Sequence, residues 1–170
     1  HCKNQFLEKI YDKIIKLGAK PFGMFALNSL RIEKGYKTWK GDLSTDYTLL
    51  EGRLDKYIKF NKNIEFVGKQ ALLRERQNGV KKKFVILKVN ANGFDAPYMS
   101  TLWYNNKIVG EITSGAWGYR VNHAIALGML KNELCVPGTE IDIEIYGKKI
   151  KAEVQKNQPL WDPYNLRIKS

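Results

Sequence analysis

Glu33 stands inside an otherwise apolar run, Gly23-Met24-Phe25-Ala26-Leu27-Asn28-Ser29-Leu30-Arg31-Ile32-Glu33-Lys34-Gly35-Tyr36. Charge enters this run only with Arg31, Glu33 and Lys34. A carboxylate close to a core costs free energy unless something pairs with it. The partner is either a nearby base such as Arg31 or a ligand. A 2-amino-4-oxo pyrimidine edge, with two parallel N–H donors, suits a carboxylate fork. The structural alternative is a helix-surface acid paired with Lys34 or Lys37.

Two further runs gather side chains of chemical interest. Ser114-Gly115-Ala116-Trp117-Gly118-Tyr119 reads as a tight turn after a strand. Its spacing is not GxGxxG and no helical pattern follows, so a phosphate loop is a poor fit. Trp161-Asp162-Pro163-Tyr164-Asn165-Leu166-Arg167 is dense in polar and aromatic groups suited to a ligand. His1 and His123 are the only histidines, and Cys2 and Cys135 fit no metal or redox spacing. That argues against a zinc site, a His-based triad and a disulfide framework.

The elements that must position these residues follow from periodicity. Residues 4–17 predict an amphipathic helix, with Phe6, Leu7, Ile10, Ile14 and Leu17 on one face. Gly18 and Pro21 stop it. A second helix is expected over about 22–34. Leu54 to Phe60 predicts a strand, and Phe66-Val67-Gly68-Lys69-Gln70-Ala71-Leu72 begins another helix, ended by Asn78-Gly79. After Lys81 the pattern turns to strands. Phe84 to Val89, Leu102–Tyr104 with Lys107–Val109 across Asn105-Asn106, Ala124 to Leu130, Thr139 to Tyr146 and Ile150 to Val154 are the candidates. Short strands at this spacing suggest a small β-barrel or sandwich. Phe84, Trp103, Tyr104 and Tyr146 are expected to pack in it. The boundary is placed near residue 80.

The segments "ALNSLRIEKGY", "TLLEGRLDKYIKFNKNIEFVGKQALL", "WYNNKIVGEITSGAWGYRVNHAIALGML" and "VPGTEIDIEIYGKKIKAEV" occur in that order. In order and spacing they resemble the folate-binding aminomethyltransferase family. It includes the glycine cleavage T-protein and the C-terminal halves of dimethylglycine and sarcosine dehydrogenases, and the long first segment is more similar to the dehydrogenase branch. The resemblance implies an α+β fold: a partial folate-binding α/β domain over residues 1–80, then a small C-terminal antiparallel β-barrel over residues 81–170. It implies that Glu33 grips the pterin ring of tetrahydrofolate and that Phe25 lies against the folate. It places Trp117 or Tyr119 at the folate cleft, and makes Arg167 a base for the glutamate carboxylate. The same positions read as core packing for Phe25, Trp117 and Tyr119, and as surface on a last strand for Arg167.

The family's catalytic Asp is expected upstream of His1, as is the FAD-binding domain of the dehydrogenases, since no dinucleotide fingerprint occurs here. The implied activity passes a one-carbon unit from an N-methyl amine to tetrahydrofolate. Its alternatives are a free aminomethyltransferase and a basic RNA-associated folate-family module. The missing initial Met leads to the expectation of a piece of a longer chain.

Composition sets the remaining bounds. The 170 residues, 44% hydrophobic and 27% charged, are ordinary for a globular protein. No apolar run approaches the length of about 18 residues that a membrane span requires, and the polar opening residues are unlike a leader. A cytoplasmic protein with reduced thiols is expected. The net charge of +12 is spread along the chain, with its densest cluster at Lys81-Lys82-Lys83. A solvated Lys-rich surface is the ordinary reading, and a polyglutamate tail on folate is the functional one. Folate and an upstream flavin domain are the expected partners; nucleic acid is not.

Overall fold

The alternating segments beyond residue 80 form six strands in the computed structural model, which describes residues 1–168. They are β1 (Lys82–Val89), β2 (Thr101–Tyr104), β3 (Lys107–Gly118), β4 (His123–Lys131), β5 (Glu140–Ile145) and β6 (Lys148–Val154). Every pairing is antiparallel, and the sheet closes in the order β1-β4-β3-β2-β5-β6. The expected α+β architecture with a C-terminal barrel is the one observed. Lys169 and Ser170, within the expected barrel unit of residues 81–170, lie outside the described residues. The Asn105-Asn106 turn joins β2 to β3 with both residues at positive φ (48° and 58°), the geometry of a tight hairpin turn.

Val85, Leu87 and Val89 of β1 face the barrel interior with Ile141, Ile143 and Ile145 of β5. The alternate residues of β1 are not solvated. Phe84 and Ile86 join Ile125, Leu127 and Met129 of β4 in a second cluster on the barrel's outer face. That face is covered by Ile32, Tyr47 and Leu160. β1 and β4 are therefore buried on both sides, which explains why they read as near-continuous apolar runs.

Three α-helices occur among the described residues: α1 (Leu7–Lys16), α2 (Met24–Glu33) and α3 (Lys69–Asn78). α1 forms as its periodicity requires, but none of its residues is buried. Ile10, Ile14 and Leu17 are 41%, 49% and 80% exposed.

Three expectations need correction. Leu54 to Phe60 is no strand: it is a loop with a single 3-10 turn at Asp55–Tyr57. Their backbone turns on itself instead, the Tyr57 N–H donating to the Leu54 carbonyl and the Ile58 N–H to the Asp55 carbonyl. Ser114 to Gly118 is not a turn but the end of β3. Gly115 is needed there for close approach: a Cβ would lie 2.2 Å from the Ala96 carbonyl oxygen. Tyr104 and Tyr146, expected to pack in the barrel, are 37% and 81% exposed, and Phe84 is fully buried against the barrel's outer face.

Candidate functional site

α2 is fastened to the barrel by its own polar side chains. β2 pairs with β3 only as far as Glu111, so the last residues of β3 have a strand partner on one side alone, β4. Their outward carbonyls would otherwise be unpaired. Asn28 Nδ2 donates to the Gly115 carbonyl at 3.2 Å, and Ser29 Oγ donates to the Trp117 carbonyl at 2.7 Å.

Below these contacts lies a buried charge network. Asp42 is fully buried and gathers donors with both carboxylate oxygens. Oδ1 accepts from Thr113 Oγ1 at 2.6 Å and Ser114 Oγ at 2.8 Å. Oδ2 accepts from the Thr38 amide at 2.8 Å and from Arg31 Nη1 at 2.9 Å. Arg31 also donates to the Tyr36 carbonyl and to Ser114 Oγ. Arg31 is therefore committed to Asp42, and the pairing of Arg31 with Glu33 considered from sequence does not form.

Glu33 is also fully buried. Its Oε1 accepts the backbone N–H of Arg120 at 2.6 Å. Its Oε2 faces the Arg120 guanidinium at 3.7 Å, too long for a hydrogen bond. Among the described residues Oε2 is the one buried side-chain oxygen or nitrogen without a hydrogen-bond partner. Gly118 makes room for this carboxylate. A Cβ there would meet Glu33 Cγ at 3.1 Å and Ile125 Cδ1 at 2.6 Å.

The C-terminal segment closes over the end of α2. The backbone N–H groups of Leu160 and Trp161 donate to the Glu33 carbonyl at 2.9 and 3.1 Å. They satisfy a carbonyl that the helix end leaves open. Lys34 Nζ donates to the Asp162 carbonyl and to Asn165 Oδ1, both at 2.7 Å. The Arg120 guanidinium lies 4.1 Å and Lys34 Nζ 5.4 Å from the Trp161 ring centroid. An orphaned carboxylate oxygen, a guanidinium and an indole thus meet at one place, an arrangement suited to a flat ligand with paired N–H donors.

The segment beyond Trp161 is organised by one side chain. Asp162 accepts from the backbone N–H groups of Leu166, Arg167 and Ile168 at 2.8, 3.2 and 3.2 Å. Desolvation is the largest single influence and acts to raise the pKa of its carboxyl, but the three amides and Lys34 together outweigh it and hold the pKa below the ordinary 3.8. A depressed folded-state pKa contributes stability that is present above 3.8 and lost as pH falls through the lower value. The amide resonances of Leu166, Arg167 and Ile168 should hold their shifts down to pH 4 and move together below it. Independent movement of the three would remove Asp162 from that role.

The sequence-predicted site residues are dispersed. Glu33 is at the centre described above. Tyr119, beside Arg120, is 78% exposed. Trp117 is half-buried and packs on the barrel core, with only its carbonyl engaged by α2. Phe25 is 93% exposed on the first turn of α2. Arg167 is exposed, sits in a turn rather than on a last strand, and its amide is bound to Asp162. Sequence reasoning missed Arg120, Lys34 and Asp42 as parts of the site. Trp161 lay in the run singled out, though Arg167 was chosen from it.

Comparison with known proteins gives this geometry a lineage. Residues 82–162 match the glycine cleavage T-protein C-terminal barrel domain, and residues 1–62 match the GCVT N-terminal domain. The chain belongs to the glycine cleavage T-protein family. Dimethylglycine dehydrogenase of Rattus norvegicus is 32% identical over 164 residues, covering 94% of this chain and 19% of that protein. A probable aminomethyltransferase of Pyrococcus horikoshii is 34% identical over 164 residues, covering 92% of this chain and 40% of that protein. The crystal structure of aminomethyltransferase T from Bartonella henselae superposes with a TM-score of 0.84 at 27% identity. That alignment covers 94% of this chain and 45% of the solved one. This T-protein family chain thus spans less than half the length of these relatives. No helix among the described residues is long and apolar enough to cross a membrane.

Proposed function

We propose that this chain is the C-terminal folate-holding part of a dimethylglycine or sarcosine dehydrogenase-like oxidoreductase, with its flavin domain elsewhere in the same polypeptide. The observation that carries the reading is the buried Oε2 of Glu33, which faces Arg120 but accepts no hydrogen bond. Retaining a buried acceptor without a donor costs free energy, of order 1–3 kcal/mol. A ligand that brings donors recovers that cost. The 2-amino group and ring N–H of a pterin offer two donors side by side, matched to one carboxylate. Tetrahydrofolate supplies the acceptor for a one-carbon unit when bound.

In this reading the chain's own residues bind and orient. Glu33 fixes the ring edge. Arg120 holds Glu33 from the side through its amide, and Trp161 gives a flat apolar surface next to it. The contribution to rate is proximity. Phe25, Trp117, Tyr119 and Arg167 are proposed as further folate contacts on the strength of the family resemblance. The dehydrogenases and the aminomethyltransferases match at similar identity over similar shares of the chain, and the dehydrogenase is preferred on the resemblance of the long first segment to that branch.

The test is a titration of the full natural polypeptide with tetrahydrofolate, read by the fluorescence of its tryptophans. Saturable quenching that Trp161→Phe reduces is expected. Saturable binding indifferent to Trp161 would move the ligand away from this face, and absence of binding would overturn the reading.

A further inference from the structure

Two cavities share a wall made by Arg53, Asp55 and Asn157, and the smaller reaches Lys34 beside the Glu33 site. The larger has a volume of about 860 Å³ and lies between the loop after Leu50 and α3. Its lining carries Arg53, Lys59, Lys62, Arg76 and Lys83 against two carboxylates, Asp55 and Glu75. Glu75 is already engaged, accepting the Thr48 hydroxyl at 2.7 Å. The smaller, about 550 Å³, adds Lys37, Lys56 and Lys34, the last already donating to the Asp162 carbonyl and Asn165. Among the described residues, none of these eight cations has a carboxylate within 4.0 Å.

The cations are held rather than merely scattered. Arg53 Nε donates to the Phe84 carbonyl at 2.8 Å, which fixes its guanidinium in the shared wall. The Arg76 guanidinium lies 5.1 Å from the Phe60 ring centroid. The loop that carries Lys59 and Lys62 is tied from beneath by Lys69. Its buried Nζ donates to the Lys62 and Ile64 carbonyls at 3.1 and 3.2 Å. Burial, with repulsion from Lys56 and Arg53, pushes the Lys37 ammonium below its ordinary pKa despite attraction from Asp42. Like charges that outnumber the nearby carboxylates raise the free energy of the unliganded protein, and an anion lowers it.

We propose that this trough binds a small polyanion carrying several adjacent phosphate or carboxylate groups. A cavity of about 860 Å³ has room for more than one anionic group. Arg53 offers a planar donor for one of them, and the lysines act as point charges for the others. The proposal does not depend on the function assigned to Glu33.

The test uses two probes on the whole chain, sodium tripolyphosphate and a triglutamate peptide, at about 0.15 M salt, where the Debye length is about 8 Å and diffuse attraction is screened. Calorimetry and amide chemical shifts are the readouts. Saturable binding by either probe is expected, with shifts centred on Arg53, Lys62 and Arg76. The probe that binds more tightly identifies phosphate or carboxylate as the natural group. Lys59→Ala/Lys62→Ala should weaken binding by about tenfold or more, equivalent to the loss of one good charge-assisted contact. Lys107→Ala/Lys148→Ala, at the β2–β3 and β5–β6 turns, removes the same charge and should change it less than about twofold. Equal losses from the two pairs would reduce the trough to a net-charge effect. Lack of saturable binding by both probes would overturn the proposal.

Discussion

Glu33→Gln is expected to lower tetrahydrofolate affinity by about 1–3 kcal/mol, roughly five- to 150-fold. The substitution keeps shape and burial. The amide oxygen can still accept the Arg120 N–H that Oε1 accepts now at 2.6 Å. The other position then carries an NH₂ group, which turns donors toward a ligand edge that is itself made of donors. Donor facing donor explains why an isosteric change has a large effect on binding. The fold should be intact, because Oε2 makes no hydrogen bond that the variant would lose. Calorimetric titration of the full polypeptide with tetrahydrofolate, paired with a urea unfolding curve, separates the two quantities. Unchanged affinity in a folded variant would remove Glu33 from the site.

Asp42→Ala has the opposite signature, a loss of stability of about 3–5 kcal/mol. Asp42 is the common acceptor for Arg31, Thr38, Thr113 and Ser114. Removing it strands the guanidinium of Arg31, whose side chain is only 13% exposed, next to two hydroxyls that lose their acceptor. Breaking a buried ion pair by deleting one partner costs more than the pair contributes, because the remaining charge has no counter-charge. The network joins the end of α2 to β3, so Glu33 should lose its seat as well. The unfolding midpoint in urea checks this. A shift equivalent to less than about 1 kcal/mol would show that the Tyr36 carbonyl and water satisfy Arg31 without the carboxylate.

The legible and illegible parts of this chain separate by the range of the interactions involved. α2, α3 and the β2–β3 hairpin were readable because helical periodicity and the Asn105-Asn106 turn are local signals. The segment Leu54 to Phe60 reads as a strand, but the Tyr57 and Ile58 N–H groups bond back to Leu54 and Asp55, so its backbone is spent on a turn that the side-chain types do not announce. The glycines of Ser114 to Tyr119 suggested a turn, whereas they serve close approach: Gly115 to the Ala96 backbone and Gly118 to Glu33. Glu33 was identifiable from its own surroundings in the sequence, a carboxylate in an apolar helix. Its partner was not, since Arg120 lies 87 positions away and contributes a backbone amide, a group every residue but proline carries. Asp42 was hidden in part for the same reason, since two of its donors, Thr113 and Ser114, come from positions 71 and 72 residues later.

The closing seam of the barrel has a consequence for the order of events during synthesis. β1 is complete at Val89, yet its second partner is β6, which ends at Val154 and pairs Leu87 with Val154. Until β4 is complete at Lys131 a growing polypeptide carries this apolar strand with both sides open, and from Lys131 to Val154 with one side open. The ribosome must release more than sixty further residues before that side is covered; at about 5–20 residues per second this takes several seconds. During that interval the nascent chain exposes a template for pairing with any other extended segment. Chaperone engagement of ribosome-bound chains arrested between Lys131 and Val154 is where this vulnerability should be visible.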